Sequence, residues 1–176
     1  MKQNSEKDLI TRCSKQDRKA QFELFERYKV ALYSSVFRIL NEEDLAHDAL
    51  QEAFIEIFKG IKKFRGECTL GFWMKRIAIR KAIKLAKSRI LFTPLDQVTA
   101  LPDRTPLDGW IDGELLDVAI RELPTGCRSV FLLIEVEGYK HAECAALLSI
   151  SENTSKSQLS YAKKLLRGKL NELIKA

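Results

Sequence analysis

The sequence predicts an all-α protein built from two small helical domains joined by a flexible linker. Apolar residues recur at helical spacing along most of the 176 residues, and strand-like alternation between turn signals appears nowhere. Three of the four prolines, Pro94, Pro102 and Pro106, fall together within 93–112, where Asp-rich turns interrupt the helical pattern. Charge also changes sign along the chain. Lys and Arg against Asp and Glu number 20 to 12 over residues 1–92, 2 to 7 over 93–122 and 8 to 5 over 123–176. The domains are therefore expected at 1–92 and 113–176, with the linker at 93–112.

Composition excludes several classes. Hydrophobic residues make up 45% of the chain, which suits packed cores rather than disorder. The apolar runs are too short for a membrane span. The first residues, MKQNSEKDLI, lack the apolar core of an export signal, so a soluble cytoplasmic protein is expected. Cys13, Cys68, Cys127 and Cys144 are scattered, and His47 and His141 are the sole histidines. Neither a metal site nor a cofactor is expected from so dispersed a set.

Along the first domain, Leu9, Ile10, Phe22, Phe25, Val30, Leu32, Val36 and Ile39 keep helical spacing. The segment NEEDLAHDALQEAFIEIFKGI opens on Asn41 as N-cap, with acids in its first turn. Its apolar face runs through Leu45, Ala49, Leu50, Ala53, Phe54, Ile57, Phe58 and Ile61. On its polar side lie Asp44, Asp48, Gln51 and Glu52. Helix-dipole complementarity and solvation account for such a stripe, and so does docking on a basic protein partner.

The next stretch is strongly basic: residues 61–90 hold ten cations and one anion. So one-sided a block suits a polyanion. Lys62, Lys63 and Arg65 crowd a loop in which Gly66 permits a tight turn. In the following helix Trp73, Arg76, Arg80, Lys84 and Lys87 form one stripe behind Phe72, while Met74, Ile77, Ala78, Ala82 and Leu85 face the core. Cations track phosphates and an aromatic ring stacks on an exposed base. A solvated amphipathic helix with Trp73 in the core reads the same pattern differently.

The linker is acidic, yet Leu95, Val98, Leu101, Leu107, Trp110 and Ile111 recur through it, so it is expected to lie against something. Helical character resumes near Gly113. The segment HAECAALLSISENTSKSQLSYAKKLL has the form of a helix-turn-helix. Ala142, Cys144, Ala145, Leu147 and Leu148 make its first apolar helix, and Ile150 plugs the turn. Ser149 or Ser151 caps the second helix, with Ser149 and Glu152 at capping-box spacing. That helix is expected to bury Leu159, Ala162 and Leu166. It is expected to expose Asn153, Thr154, Lys156, Ser157, Gln158, Tyr161 and Lys163, which carry donors suited to phosphates and base edges.

Two blocks carry a family resemblance. EDLAHDALQEAFIEIFKGIKKFRGECTLGFWMKRIA resembles region two of RNA polymerase sigma factors of the extracytoplasmic-function group, within the sigma-70 family. LPTGCRSVFLLIEVEGYKHAECAALLSISENTSKSQLSYAKKLL is similar to their region four. The resemblance spans about 8–92 and 114–171. It implies a region-two helical bundle and a region-four helix-turn-helix. It further implies a transcription initiation factor whose partners are core RNA polymerase and promoter DNA; an anti-sigma factor covering the linker surface is the further partner it suggests, against a linker that threads through the polymerase RNA-exit path or packs on the protein's own domains, since many members lack such an inhibitor. By resemblance, Asp44, Asp48, Gln51 and Glu52 dock on the polymerase. Lys63, Arg65, Phe72, Trp73, Arg76, Arg80 and Lys84 capture the melting element. The helix from Asn153 reads the upstream element. This chain departs from the family pattern at Arg80, often Asn, at Ser149, often Gly, at Cys144, usually Ile, and at Gln158, often Arg.

Two other functions compete. A stand-alone helix-turn-helix regulator needs neither the acidic stripe nor the Trp-bearing basic helix. An enzyme acting on nucleic acid needs a metal-binding acid cluster, a Gly-rich phosphate loop or a nucleophile with its base, and the sequence has none of these groupings.

Overall fold

The computed structural model describes the backbone of residues 2–87 and 113–175, with side chains from 6 to 87 and from 113 to 173. The expected linker and its apolar residues Leu95, Val98, Leu101, Leu107, Trp110 and Ile111 lie outside the described residues, as does the expected boundary at 92. Among the described residues every regular element is a helix. None is long and apolar enough to cross a membrane. The chain divides into two compact units, Met1–Leu85 and Ala86–Ala176.

Unit one holds α1 (Lys2–Ser14), α2 (Arg18–Leu40), α3 (Glu43–Gly60), a 3₁₀ turn (Ile61–Lys63) and α4 (Leu70–Ala86). The apolar spacing that runs through 6–38 belongs to two helices. Gln16 adopts a left-handed conformation (φ 63°), and Asp17 then caps α2 by accepting from the Lys19 and Ala20 N–H groups at 2.8 and 3.3 Å. Leu9, Leu24, Leu32, Val36 and Ile39 enter the core, whereas Phe22 and Val30 are 66% and 69% exposed. Asn41 is not the N-cap of α3. It closes α2 in the left-handed region (φ 54°, ψ 31°), its N–H donating to the Phe37 carbonyl at 2.6 Å, and Glu42 takes the N-cap place. Asn tolerates that conformation better than most residues, which is why it ends helices as readily as it begins them. The apolar face of α3 packs along α2, with the Phe25 and Phe54 rings 4.8 Å apart. Met74, Ile77, Ala78 and Ala82 of α4 are buried as the spacing predicts, Leu70 is buried with them, and Leu85 is half-exposed.

Unit two holds α5 (Gly113–Arg121), α6 (Thr125–Phe131) running into a π-helical turn (Leu132–Val136), α7 (His141–Leu148) and α8 (Glu152–Lys175). The buried Arg128 donates to the Arg121 and Leu123 carbonyls, both at 3.0 Å, and so satisfies acceptors left open where α5 ends. The helix-turn-helix forms over α7 and α8, with several details changed. Ser149 closes α7 in the left-handed region (φ 58°), and Ser151 caps α8 by accepting from the Thr154 N–H at 2.9 Å. The Ser149–Glu152 box therefore gives way to Ser151. Ile150 is half-buried and Ala142 is exposed.

The inward line of α8 also differs from expectation. Ser155, Gln158, Ala162, Leu166 and Leu170 are buried, and Leu159 is half-exposed. Gln158, expected outside among the DNA-facing donors, is 1% exposed. Spacings of 3, 4, 4 and 4 fix this line once α7 supplies the opposing surface, and residue polarity alone picks Leu159 instead.

Candidate docking and nucleic-acid interfaces

The polar face of α3 presents Asp44, Asp48, Gln51 and Glu52, all exposed. Ile55, which the sequence reading missed, lies on the same face one turn beyond Gln51 and is 54% exposed. An isoleucine thus stands exposed among the acids of this helix face. The signal in the sequence was its place at Gln51 plus four, off the apolar stripe. Glu52 also approaches Lys81 of α4 at 3.6 Å, and Glu56 meets the same ammonium at 2.7 Å. Hydrogen bonding to Glu56 first, and the charge of both carboxylates after it, hold the Lys81 ammonium above its ordinary pKa. The His47 ring lies 4.9 Å from the Tyr33 ring.

Between the 3₁₀ turn and α4 the chain folds back through Gly66 (φ 73°), where a side chain would be strained although a Cβ meets nothing within 4 Å. Thr69 starts α4, its Oγ1 accepting from the Phe72 N–H at 3.3 Å. Lys63 and Arg65 are exposed, and Arg65 stands 3.9 Å from Glu67. Phe72 is 46% exposed with the Arg76 guanidinium 5.9 Å over its ring. Arg80 and Lys84 continue outward along the helix.

Trp73 divides its surface. Its ring tilts against Phe64 at 5.4 Å and lies over Gly60, where a Cβ would stand 3.5 Å from the indole. The remaining surface helps to line a pocket of about 250 Å³ with Lys63, Phe64, Arg65, Glu67 and Cys68. Trp73 is thus neither fully core nor fully on the outer stripe: it is the pocket wall.

On α8, Asn153 and Lys156 are exposed, while Thr154, Ser157, Tyr161 and Lys163 are half-exposed. The Thr154 hydroxyl lies 2.8 Å from that of Ser151, and Lys163 pairs with Glu135 at 2.9 Å. Ser160 and Lys164 share the Asn153 face by helical spacing and extend the donor set beyond the sequence expectation. Among the described residues no group of three or more His, Cys, Asp or Glu is placed to hold a metal ion.

Family models place these surfaces. Residues 24–89 match sigma-70 region 2, and residues 113–166 match sigma-70 region 4.

The chain belongs to the sigma-70 family. Its relatives include the RNA polymerase sigma-H factor of Pseudomonas aeruginosa, 25% identical with 98% of this chain and 97% of that protein aligned. The ECF RNA polymerase sigma-E factor of Escherichia coli is 27% identical over 95% of each. The fold matches that of the sigma factor RpoE from Bartonella quintana, solved with the anti-sigma factor NepR. The TM-score is 0.53 at 18% identity, over 85% of this chain and 95% of that one.

The protein is thus a sigma factor of the extracytoplasmic-function group, which directs RNA polymerase to promoters. The α3 face, the Phe64–Thr69 loop and α4 lie within region 2 of this sigma factor, and α7 with the first four turns of α8 lies within region 4. Its cysteines sort by environment. Burial raises the thiol pKa of Cys13, Cys127 and Cys144, while Cys68 is exposed on the loop.

Proposed function

We propose that this sigma factor divides promoter selection among three surfaces. The α3 face with Asp44, Asp48, Gln51 and Glu52 docks on a basic surface of core RNA polymerase, and Ile55 anchors that contact. The Phe64–Thr69 loop and the outer face of α4 hold one strand of the promoter as it opens. Lys63, Arg65, Arg80 and Lys84 follow its phosphates, Phe72 and Arg76 form a stacked platform, and the pocket beside Trp73 takes an unstacked base. The α8 face with Asn153, Thr154, Lys156, Ser157 and Ser160 enters the major groove upstream, with Tyr161 and Lys163 at its border. The protein carries no catalysis of its own, acts in the cytoplasm, and spaces its two domains through the 93–112 linker. An anti-sigma factor is a further partner, a kind of protein with which the Bartonella relative was solved.

The observation that carries this reading is the base-sized pocket at the head of a basic helix, walled by two aromatic rings and two cations with Glu67 and Cys68 beside them. A reader of closed duplex has no use for such a pocket, because bases inside a duplex cannot enter it. Stacking on Trp73 stabilises an opened strand by ~1–3 kcal/mol per base. Permanganate footprinting of the holoenzyme on promoter DNA provides the test. Trp73→Ala and Arg76→Ala are expected to lower thymine reactivity in the opened region while closed-complex binding is largely kept. Wild-type reactivity in both variants would remove the strand-capture role.

A further inference from the structure

Phe22 and Val30 belong to the apolar series of the sequence, yet they are 66% and 69% exposed on α2. Their separation along the outer side of that helix is about 12 Å at 1.5 Å per residue. Glu26 falls between them at helical spacing, but its carboxylate is drawn to Lys29 at 2.6 Å. Glu23 is likewise held by Arg12 and Arg27, each at 3.0 Å. Phe25 against Phe54 and Tyr33 against His47, with ring centroids 4.8 and 4.9 Å apart, fix the antiparallel register of α2 and α3. That register brings the end of α3 beside the start of α2. Arg18, Lys19, Lys59 and Lys62 therefore gather at the Phe22 end, all of them exposed. Asp17 is the sole acid in residues 15–22 and uses its carboxylate to cap α2, and residues 58–63 hold no acid. The helix pair thus reverses charge along its length, from the acids at the start of α3 to cations at its end.

We propose that this outer face of α2 is a docking site for an acidic amphipathic helix of a regulatory protein. The apolar side of that helix lies on Phe22 and Val30, and its carboxylates meet Arg18, Lys19, Lys59 and Lys62. Two large apolar side chains about two turns apart match the spacing at which a partner helix presents its own apolar residues. The cations beside them favour an acidic partner and repel a basic one. Docking on the acids of α3 needs the opposite charge, so one basic surface cannot serve both faces. Nucleic acid would meet the cations equally well. It would leave the apolar pair unused, because Val30 offers no ring on which a base can stack.

The test titrates the full chain, followed by two-dimensional amide NMR, with a synthetic helical peptide bearing leucines on one face and glutamates on the other. Two control peptides replace the leucines by serine or the glutamates by lysine, and a single-stranded oligonucleotide is a further arm. The acidic amphipathic peptide should bind saturably and shift the amides of α2 and of the end of α3. Both control peptides should bind about tenfold more weakly or less. Phe22→Ala should weaken the acidic peptide about tenfold or more, as loss of an apolar anchor does. Arg18→Glu combined with Lys19→Glu should weaken it about as much, and acids in the first turn of α2 suit the helix dipole, so the fold is kept. Both variants should co-purify with core polymerase at wild-type yield. Equal binding of the serine and leucine peptides, amide shifts elsewhere, or indifference to Phe22→Ala overturns the site. Oligonucleotide shifts on this face that Phe22→Ala removes, with no peptide bound, give it to nucleic acid instead. A loss of core polymerase in Phe22→Ala makes the face part of the polymerase contact and overturns the separate partner.

Discussion

Gln158 shows at the residue scale how far a polar side chain can be from its apparent task. It is 1% exposed beside Ser155 and Ala162 on the inward line of α8. Gln158→Ala should therefore act on stability, costing about 1–3 kcal/mol through lost packing. Its thermal unfolding should shift down while base preference at the upstream element stays that of wild type. Asn153→Ala should do the reverse, and a changed upstream preference in Gln158→Ala would place that side chain at the DNA. Cys127 carries a pH dependence. Burial raises its thiol from 9.0 to about 11, against weaker lowering by hydrogen bonds with the backbone and by the Arg128 charge. The unfolded chain thus ionises first as pH rises, and the folded state loses stability through the window between those values. Chemical denaturation at a series of alkaline pH values should show that loss in wild type and a flatter profile in Cys127→Ala. Equal slopes would remove Cys127 as its source.

At the scale of elements, α3 is a helix with three differently used sides. One buries Ala46, Ala49, Leu50, Ala53 and Ile57, one meets Lys81 through Glu52 and Glu56, and one, around the exposed Ile55, is the face proposed to dock on polymerase. Glu52→Lys reverses charge at the border between the last two, and Ile55→Asp removes the apolar centre. Both should lower the yield of core polymerase co-purified with the protein, by about tenfold or more if Ile55 is a hot spot. Helix content should be unchanged, since both side chains are exposed. Lys81→Met is the control. It breaks the intramolecular pair without touching the docking face, so a loss of core binding as large as that of Glu52→Lys would assign the effect to the α3–α4 pairing instead. The start of α3 was misread for a physical reason. Asn suits both an N-cap and a left-handed helix end, and the chain between α2 and α3 is so short that a shift of one residue exchanges those roles.

Across the whole molecule, charge is segregated by task. The ten cations and single anion of residues 61–90 contrast with the acidic α3 face just before them in the chain. Phosphate contacts release counterions, so each one contributes a slope of about −0.7 to −0.9 in log affinity against log salt. Arg80→Ala and Lys84→Ala should each reduce the salt slope of holoenzyme binding to an open or premelted promoter by about that amount, nearly independent of sequence. An unchanged slope in both would take this face of α4 away from the strand. Asp48→Ala, on the docking face, should leave the slope as it is.

Local pattern was enough to show that the chain is helical, to find the hearts of α3, α4, α7 and α8, and to mark the polar and basic faces of α3 and α4, whereas α1 and α2 read as one run and α5 and α6 were not told apart. Those follow from periodicity, and periodicity is local: a run such as Leu45 to Ile61 can bury only one side of a helix. It also carried the family, because the two motif blocks are contiguous in the chain. Features that depend on a neighbour emerged with the packing of the helices. Whether Trp73 is core or surface turned on Phe64 and Gly60, which pack on part of its ring and leave the rest as a pocket wall. Gln158 went inside because α8 is rotated to fit α7, and one residue of rotation moves a side chain by about 100° around a helix of 3.6 residues per turn. Ser149 could close one helix or open the next, and the left-handed turn chose the first. A cavity on the α1 side of the Phe64–Thr69 loop joins Glu6 and Ile10 to Thr69, and no local pattern reports such a juxtaposition of residues so far apart in sequence.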